Sequence, residues 1–187
     1  MLIADFVLLG VAVVTILALF TMLGSLYVWV PYVPTPHTVV KRMVELATLQ
    51  GNEVVYDLGC GDGRLLIEAK RKHPGIQAIG YELPIGIYLL GKIRVFFSRL
   101  PITIHWKDFR KADLQNADVI FLYLVPEVFA KLEKKLSHEL RKGTKVISHG
   151  FEFPGRSPMH VERVPLPSWH FMKPRKAEGP RIFVYEW

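Results

Sequence analysis

One stretch constrains this chain more than any other: Val54-Val55-Tyr56-Asp57-Leu58-Gly59-Cys60-Gly61-Asp62-Gly63-Arg64. It reads as a short β-branched strand, a glycine-rich turn and the start of a helix that continues Leu65-Leu66-Ile67-Glu68-Ala69-Lys70. Glycines at alternate positions let the backbone take positive φ and approach a ligand closely. The helix that follows turns its free N–H groups and the positive end of its dipole towards whatever occupies the turn.

The acids in the stretch select the ligand class. A dinucleotide fingerprint is G-x-G-x-x-G and seats a pyrophosphate at the helix end. Here the spacing is G-x-G-x-G, and Asp57 and Asp62 would repel a pyrophosphate. They suit a cationic amine. S-adenosylmethionine carries one, with a carboxylate for the helix N-terminus and a cationic sulfonium. Asp57, Gly59, Cys60, Gly61 and Gly63 are the expected cofactor-binding residues of the turn, Cys60 as a small filler and not a nucleophile.

The chain downstream extends the pattern. A helix over about 63–72 closes at Pro74-Gly75, and a strand over 78–81 ends in Glu82, 25 residues after Asp57. An acid there accepts from ribose hydroxyls in nucleotide-binding βαβ units. A third strand over about 102–106 runs into Lys107-Asp108-Phe109. Asp108 can accept from an adenine amine, and Phe109 can offer it a ring face. The unalternating run 119–124 suits a strand buried on both faces. Ligands of open α/β sheets lie beyond such strand ends, so Tyr123 and Pro126 are candidate substrate-side residues. A lysine-rich amphipathic helix over 127–141 stops before Gly143, and a fifth strand spans 144–148. Two last strands, about 160–166 and 181–186, flank the basic loop Lys173-Pro174-Arg175-Lys176. Alternating βα units with a terminal antiparallel pair predict an α/β fold, a doubly wound Rossmann-like sheet.

Phe6 to Val30 is a run of 25 residues without a charge. As a helix, at about 1.5 Å per residue, it exceeds the roughly 30 Å bilayer core. Tyr27, Trp29 and Tyr32 cluster at its end, as interface aromatics do. A cleaved signal peptide fits less well, since no Lys or Arg precedes the run and the run is long for an h-region. The reading is a transmembrane helix over 1–30. Asp5 precedes it and Lys41 and Arg42 follow it, which predicts a single-pass membrane protein with its C-terminal domain in the cytoplasm. Residues 31–50 form a proline-rich connector, Pro31-Tyr32-Val33-Pro34-Thr35-Pro36, and a leading helix. Thr35 is the expected N-cap and Gly51 the C-terminal signal. The connector is either a rigid spacer or a lid beside the site. Helix 85–97 is more apolar than one core-facing stripe requires, and is expected to touch the anchor or the bilayer as well as the sheet.

All 24 Lys and Arg follow residue 30, against 16 of the 17 acids, so the domain over 51–187 and its connector carry +8. Such a balance suits an anionic membrane surface, a nucleic acid or plain solvation. The single cysteine excludes an internal disulfide. His149, His160 and His170 lack the short ligand spacings of zinc sites, so no metal is expected.

Taken together, these residues resemble class I S-adenosylmethionine-dependent methyltransferases over about 51–187. The hydrophobic helix, Pro-Tyr-Val-Pro (31–34), Asp-Leu-Gly-Cys-Gly-Asp-Gly-Arg (57–64), Gly-Tyr-Glu (80–82), Val-Pro (125–126) and Phe-Glu-Phe-Pro (151–154) narrow the resemblance. They are similar to the small membrane-anchored lysine methyltransferases that act on the adenine nucleotide translocase and the ATP synthase c-subunit, and to their bacterial relatives. The resemblance implies S-adenosyl-L-methionine bound by Asp57, Gly59, Gly61 and Glu82, a connector that shapes the active site, and a membrane-associated protein as substrate. Tyr123 and Tyr32 are the expected catalytic residues, orienting the acceptor amine. The rival expectations are methylation of a membrane lipid or quinone, RNA methylation, and cofactor binding without catalysis. Nucleic acid is the less expected partner, because no RNA-binding module or Asn-Pro-Pro-Tyr-type motif follows the fourth strand.

Overall fold

The computed structural model describes residues 2–28, 32–165 and 179–187. Its α-helices are α1 (Leu2–Val28), α2 (His37–Ala47), α3 (Arg64–Lys72), α4 (Ile85–Ser98) and α5 (Pro126–Glu139). Its strands are β1 (Val54–Leu58), β2 (Gln77–Glu82), β3 (Ile102–Trp106), β4 (Val119–Leu122), β5 (Lys145–His149), β6 (His160–Arg163) and β7 (Arg181–Glu186). They form one sheet in the order β3-β2-β1-β4-β5-β7-β6. β1 to β5 are parallel, and β7 runs antiparallel to both β5 and β6. The strand order reverses between β1 and β4, so the crevice of an open parallel sheet lies beyond the ends of these two strands.

Alternation along the central strands builds two apolar layers. Val55, Val119, Phe121 and Ile147 face α2, α3 and α4, together with Val40, Met43, Leu66 and Val95. Tyr56, Leu58, Ile120 and Leu122 face the other way, onto Phe129, Leu132 and Leu136 of α5. This is the expected doubly wound architecture with its terminal antiparallel pair.

Three local expectations are corrected. β4 leaves the sheet at Leu122, two residues early, because Tyr123 and Leu124 turn into the cleft. The cap residue of α2 is Pro36, without a side-chain cap from Thr35, and the left-handed residue that ends this helix is Thr48, at φ 51°, rather than Gly51. Pro126 opens α5 as its first residue and does not line the cleft.

α1 is helical along the length expected. Among the described residues no helix is long and apolar enough to cross a membrane. Trp29, Val30, the loop 173–176 and His170 lie outside the described residues.

Candidate active site

The glycine turn leaves β1 with Gly59, Gly61 and Gly63 at φ 79°, 56° and 74°. Only glycine takes these values without strain. Crowding adds to the requirement at Gly61, where an added Cβ would lie 2.9 Å from Cε2 of Tyr32. The connector ring thus lies directly on the turn. Nη1 of Arg64 fixes the connector from below by donating to the Thr35 carbonyl at 2.8 Å.

The three acids of the site have different roles. Asp62 is consumed by cations: Nη2 of Arg64 lies 2.8 Å from it and Arg94 pairs with it from α4. Burial pushes its carboxyl up, but Arg64 and Arg94 more than offset this and hold it below the usual range. Glu82 accepts from the Gly61 N–H at 2.7 Å and the Leu83 N–H at 3.1 Å. Burial nevertheless raises its carboxyl. Asp57 is 5% exposed, and among the described residues no donor reaches it. Burial, with the charges of Glu82 and Asp62, pushes it up to about 8. A buried carboxylate without a donor is costly, and this one opens onto a cavity. A cationic amine entering there would supply the missing donor, so the residues present fit the ammonium of S-adenosylmethionine.

The cavity measures about 280 Å³. Asp57, Gly59, Cys60 and Gly61 line it with Glu82 and Phe109, and Tyr32, Tyr123, Leu124 and Phe151 complete the lining. Phe151 was not among the expected site residues. It enters because the chain turns back after β5 at Gly150, φ 85°. Gly63 is not in the lining and is the N-cap residue of α3. Asp108 is not in the lining either: its carboxylate takes the Arg110 backbone N–H at 2.9 Å and the Arg110 guanidinium at 2.7 Å. The Cys60 thiol is buried and raised by that burial, in keeping with a filler role.

Behind Tyr123 sits a group that sequence spacing did not bring forward. The His149 ring packs 4.0 Å from that of Tyr123. His149 is 3% exposed, and among the described residues its Nδ1 has no partner. Burial lowers its pKa to about 4, so the ring is neutral at physiological pH. A base with a depressed folded pKa stabilises the fold above its unfolded pKa, about 6.5. That contribution is lost as pH falls towards 4, and amounts to about 3 kcal/mol at about 1.4 kcal/mol per unit. His149→Phe is expected to flatten the acid limb of a melting-temperature profile between about pH 4 and 6.5. A variant as acid-sensitive as wild type would show that His149 is not the buried titrating group.

Comparison with known proteins agrees with this geometry. Residues 57–160 match the family described as the ANTKMT methyltransferase domain. The chain is 37% identical over 142 residues to a protein-lysine N-methyltransferase of Saccharolobus islandicus, covering 72% of this chain and 85% of that protein. It is 33% identical over 159 residues to the adenine nucleotide translocase lysine N-methyltransferase of Mus musculus, covering 81% of this chain and 68% of that one. Among solved structures, an RNA methyltransferase from Salinibacter ruber in complex with S-adenosyl-L-homocysteine superposes with a TM-score of 0.72 at 31% identity, covering 82% and 93% of the two chains. The chain belongs to the ANTKMT methyltransferase family, and S-adenosyl-L-methionine is its cofactor.

Proposed function

We propose that this methyltransferase modifies the ε-amine of a lysine in a membrane-associated protein, from a domain that α1 tethers to the cytoplasmic face. One observation carries the choice of acceptor. The cavity lining around the glycine turn is rich in aromatic rings, with Tyr32, Tyr123 and Phe151, and Arg64, the basic side chain of the lining, is committed to Asp62 and the Thr35 carbonyl. Such a lining suits an alkyl stem with a cationic head over ring faces. A phosphodiester would call for free basic side chains.

The cofactor, when bound, supplies a methyl group made electrophilic by the sulfonium. The rest is the work of the chain's own residues. Asp57 and Glu82 fix the cofactor, and the aromatic wall excludes water. Desolvation lowers the pKa of the incoming lysine, favouring the neutral amine that attack requires. The Tyr123 and Tyr32 phenols are pushed up by burial, and Tyr32 further by the charge of Asp62, so both stay protonated. Each can accept an N–H from the amine and aim its lone pair at the methyl, which is catalysis by positioning. Tyr123→Phe is expected to lower kcat roughly tenfold, the worth of about one hydrogen bond, with cofactor affinity unchanged. Unaltered kcat would reduce Tyr123 to packing.

Tethering is supported by the charge-free run Phe6–Val30 and by exposed apolar side chains around α1, Phe6, Leu8, Leu9 and Val14 among them. The lysine acceptor accords with relatives named as lysine methyltransferases of the ATP synthase c-subunit and of the adenine nucleotide translocase. A second reading, RNA, is favoured by the Salinibacter ruber neighbour and the basic balance. The deciding experiment incubates methyl-labelled cofactor with native membranes and RNA, comparing wild type with Asp57→Ala. Asp57-dependent label recovered as methyl-lysine supports the proposal. Label in RNA or lipid overturns it.

A further inference from the structure

α4 is built inside out. The residues it buries are Gly91 and Val95, with Gly91 against the glycine turn and Ile104 of β3. Its outer face carries Leu89, Leu90, Ile93, Phe96 and Phe97, the last two 77% and 76% exposed. At 3.6 residues per turn these five form one stripe roughly 120° wide. Phe96 and Phe97 meet edge to face, with ring centroids 5.5 Å apart. A helix that faced only the core would place this stripe inward.

The charges around the stripe are arranged, not scattered. By helical position Lys92 flanks it on one side and Arg94 on the other. Beyond Arg94, a cleft of about 220 Å³ between α3 and α4 is lined by His37, Arg71, Arg94 and Phe97. Glu68 also lines it, with Lys72 3.8 Å away as its counter-ion. Arg71 is exposed and, among the described residues, has no acidic partner. α1 packs against α4, so the tether arrives beside this face.

We infer that the outer face of α4 docks on an anionic bilayer. The Leu89–Phe97 stripe lies in the boundary between headgroups and acyl chains, and Arg71, in the cleft that His37 also lines, takes lipid phosphate while Arg94 stays paired with Asp62. An apolar stripe flanked by Lys and Arg is the pattern of a helix lying in that plane. A second copy of the chain would bring the same cations against one another across a two-fold axis, which disfavours self-association.

The inference rests on the tethered reading above and deepens it. Ile87, on the first turn of α4, lines the active-site cavity, and Arg64 lines both cavity and cleft. Ile87 and Phe97 are about 15 Å apart along the helix axis. Docking α4 therefore holds the cavity beside the headgroup layer. The acceptor becomes a lysine that a membrane protein presents at that layer, not one far out in solution.

The test uses the full chain in vesicles of phosphatidylcholine and phosphatidylglycerol with brominated acyl chains. A bimane label is placed singly at Phe97→Cys, at Val14→Cys on α1, and at Lys134→Cys on α5. Quenching at positions 14 and 97 but not 134, with position 97 about 5–10 Å below the boundary, is expected. Quenching at 14 without 97 overturns the docking of α4 and leaves the tether standing. No quenching at either position removes the tether and the docking together. A position-97 label that escapes lipid while the Phe97→Cys chain forms a disulfide-linked dimer makes this face a self-interface, which also overturns the proposal. Replacing phosphatidylglycerol with phosphatidylcholine removes the net negative charge of the surface and is expected to weaken quenching at 97 and spare that at 14; unchanged quenching at 97 overturns the requirement for an anionic bilayer. Ile93→Glu/Phe97→Glu, substituted at exposed positions, is expected to keep cofactor affinity and lose methyl transfer to membrane acceptors. Full transfer by this variant counts against the docked geometry.

Discussion

Asp57→Ala is expected to weaken S-adenosylmethionine binding roughly 100-fold, the equivalent of about 3 kcal/mol for a buried charge-assisted contact. The variant should remain folded, because the Asp57 carboxylate accepts no hydrogen bond among the described residues and Ala keeps the Cβ, so the fold loses only a carboxyl group that borders the cavity. The pH dependence has a definite sign. The Asp57 carboxyl lies at about 8 in the ligand-free fold and about 3.9 in an unfolded chain. An acid with a raised folded pKa contributes stability that is complete below the unfolded pKa and is lost as pH rises through the folded one. The ligand-free protein should therefore lose stability from about pH 4 to about pH 8, at up to about 1.4 kcal/mol per unit, and Asp57→Ala should remove that decline. Cofactor affinity in wild type should rise towards pH 8, because the ammonium binds the ionised carboxylate and a proton leaves. Calorimetric titration in buffers of different ionisation enthalpy reads that proton directly. Wild-type affinity in Asp57→Ala, or binding without proton release at pH 7, would show that another group receives the amine.

Why Asp57 was legible from sequence and Asp62 was not is a matter of distance along the chain. Asp57 lies in an apolar strand before a glycine turn, and strand polarity alone places it at the cavity beyond the strand end. Asp62 carries the same charge in the same turn, and local reading aims it at the ligand too. Its fate is set by Arg94, 32 residues on, which reaches it from α4, and no periodicity reports such a pairing. Glu82 was legible for the same reason as Asp57, as a strand-end acid. The sequence did not show that it braces the Gly61 N–H. Asp108 illustrates the converse. Asp108 stands where an adenine partner was expected, but Arg110 lies two residues away and takes its carboxylate.

Element order was readable because each βα unit carries its own punctuation, whereas the cavity wall was only half readable. Tyr123 follows a buried strand, so its place beyond the strand end was predictable. Phe151 and His149 depend on how the chain turns back after β5, at Gly150, where a Cβ would come within 3.2 Å of the Tyr123 ring. That contact lies between residues 27 apart in sequence. The excess apolar character of α4 was legible, and its outward direction followed once Gly91 proved to face the glycine turn.

That last contact yields the second large effect. Propensity alone says that replacing Gly91 in the interior of α4 with Ala should stabilise the helix by up to about 1 kcal/mol. Packing says the opposite. A Cβ at Gly91 would sit 2.8 Å from the carbonyl oxygen of Gly61 and 3.2 Å from Cδ1 of Ile104. The Ile104 methyl can move by a few tenths of an ångström; the Gly61 carbonyl belongs to a turn held at φ 56° and cannot shift cheaply. Overpacking of this kind costs about 1–3 kcal/mol, so Gly91→Ala should come out destabilised, and Gly91→Leu, with three further carbons and no space for them, by about 3 kcal/mol or more. The damage should also reach function, because pushing α4 off the turn strains the Gly61 N–H bond to Glu82 and draws Arg94 away from Asp62. Thermal melts and cofactor titrations on the two variants should fall together, with Leu worse than Ala in both. Stabilisation by Gly91→Ala would mean that propensity outweighs the contact and that α4 does not rest on the glycine turn; a fall in melting temperature with unchanged cofactor affinity would mean that α4 supports the fold without shaping the site.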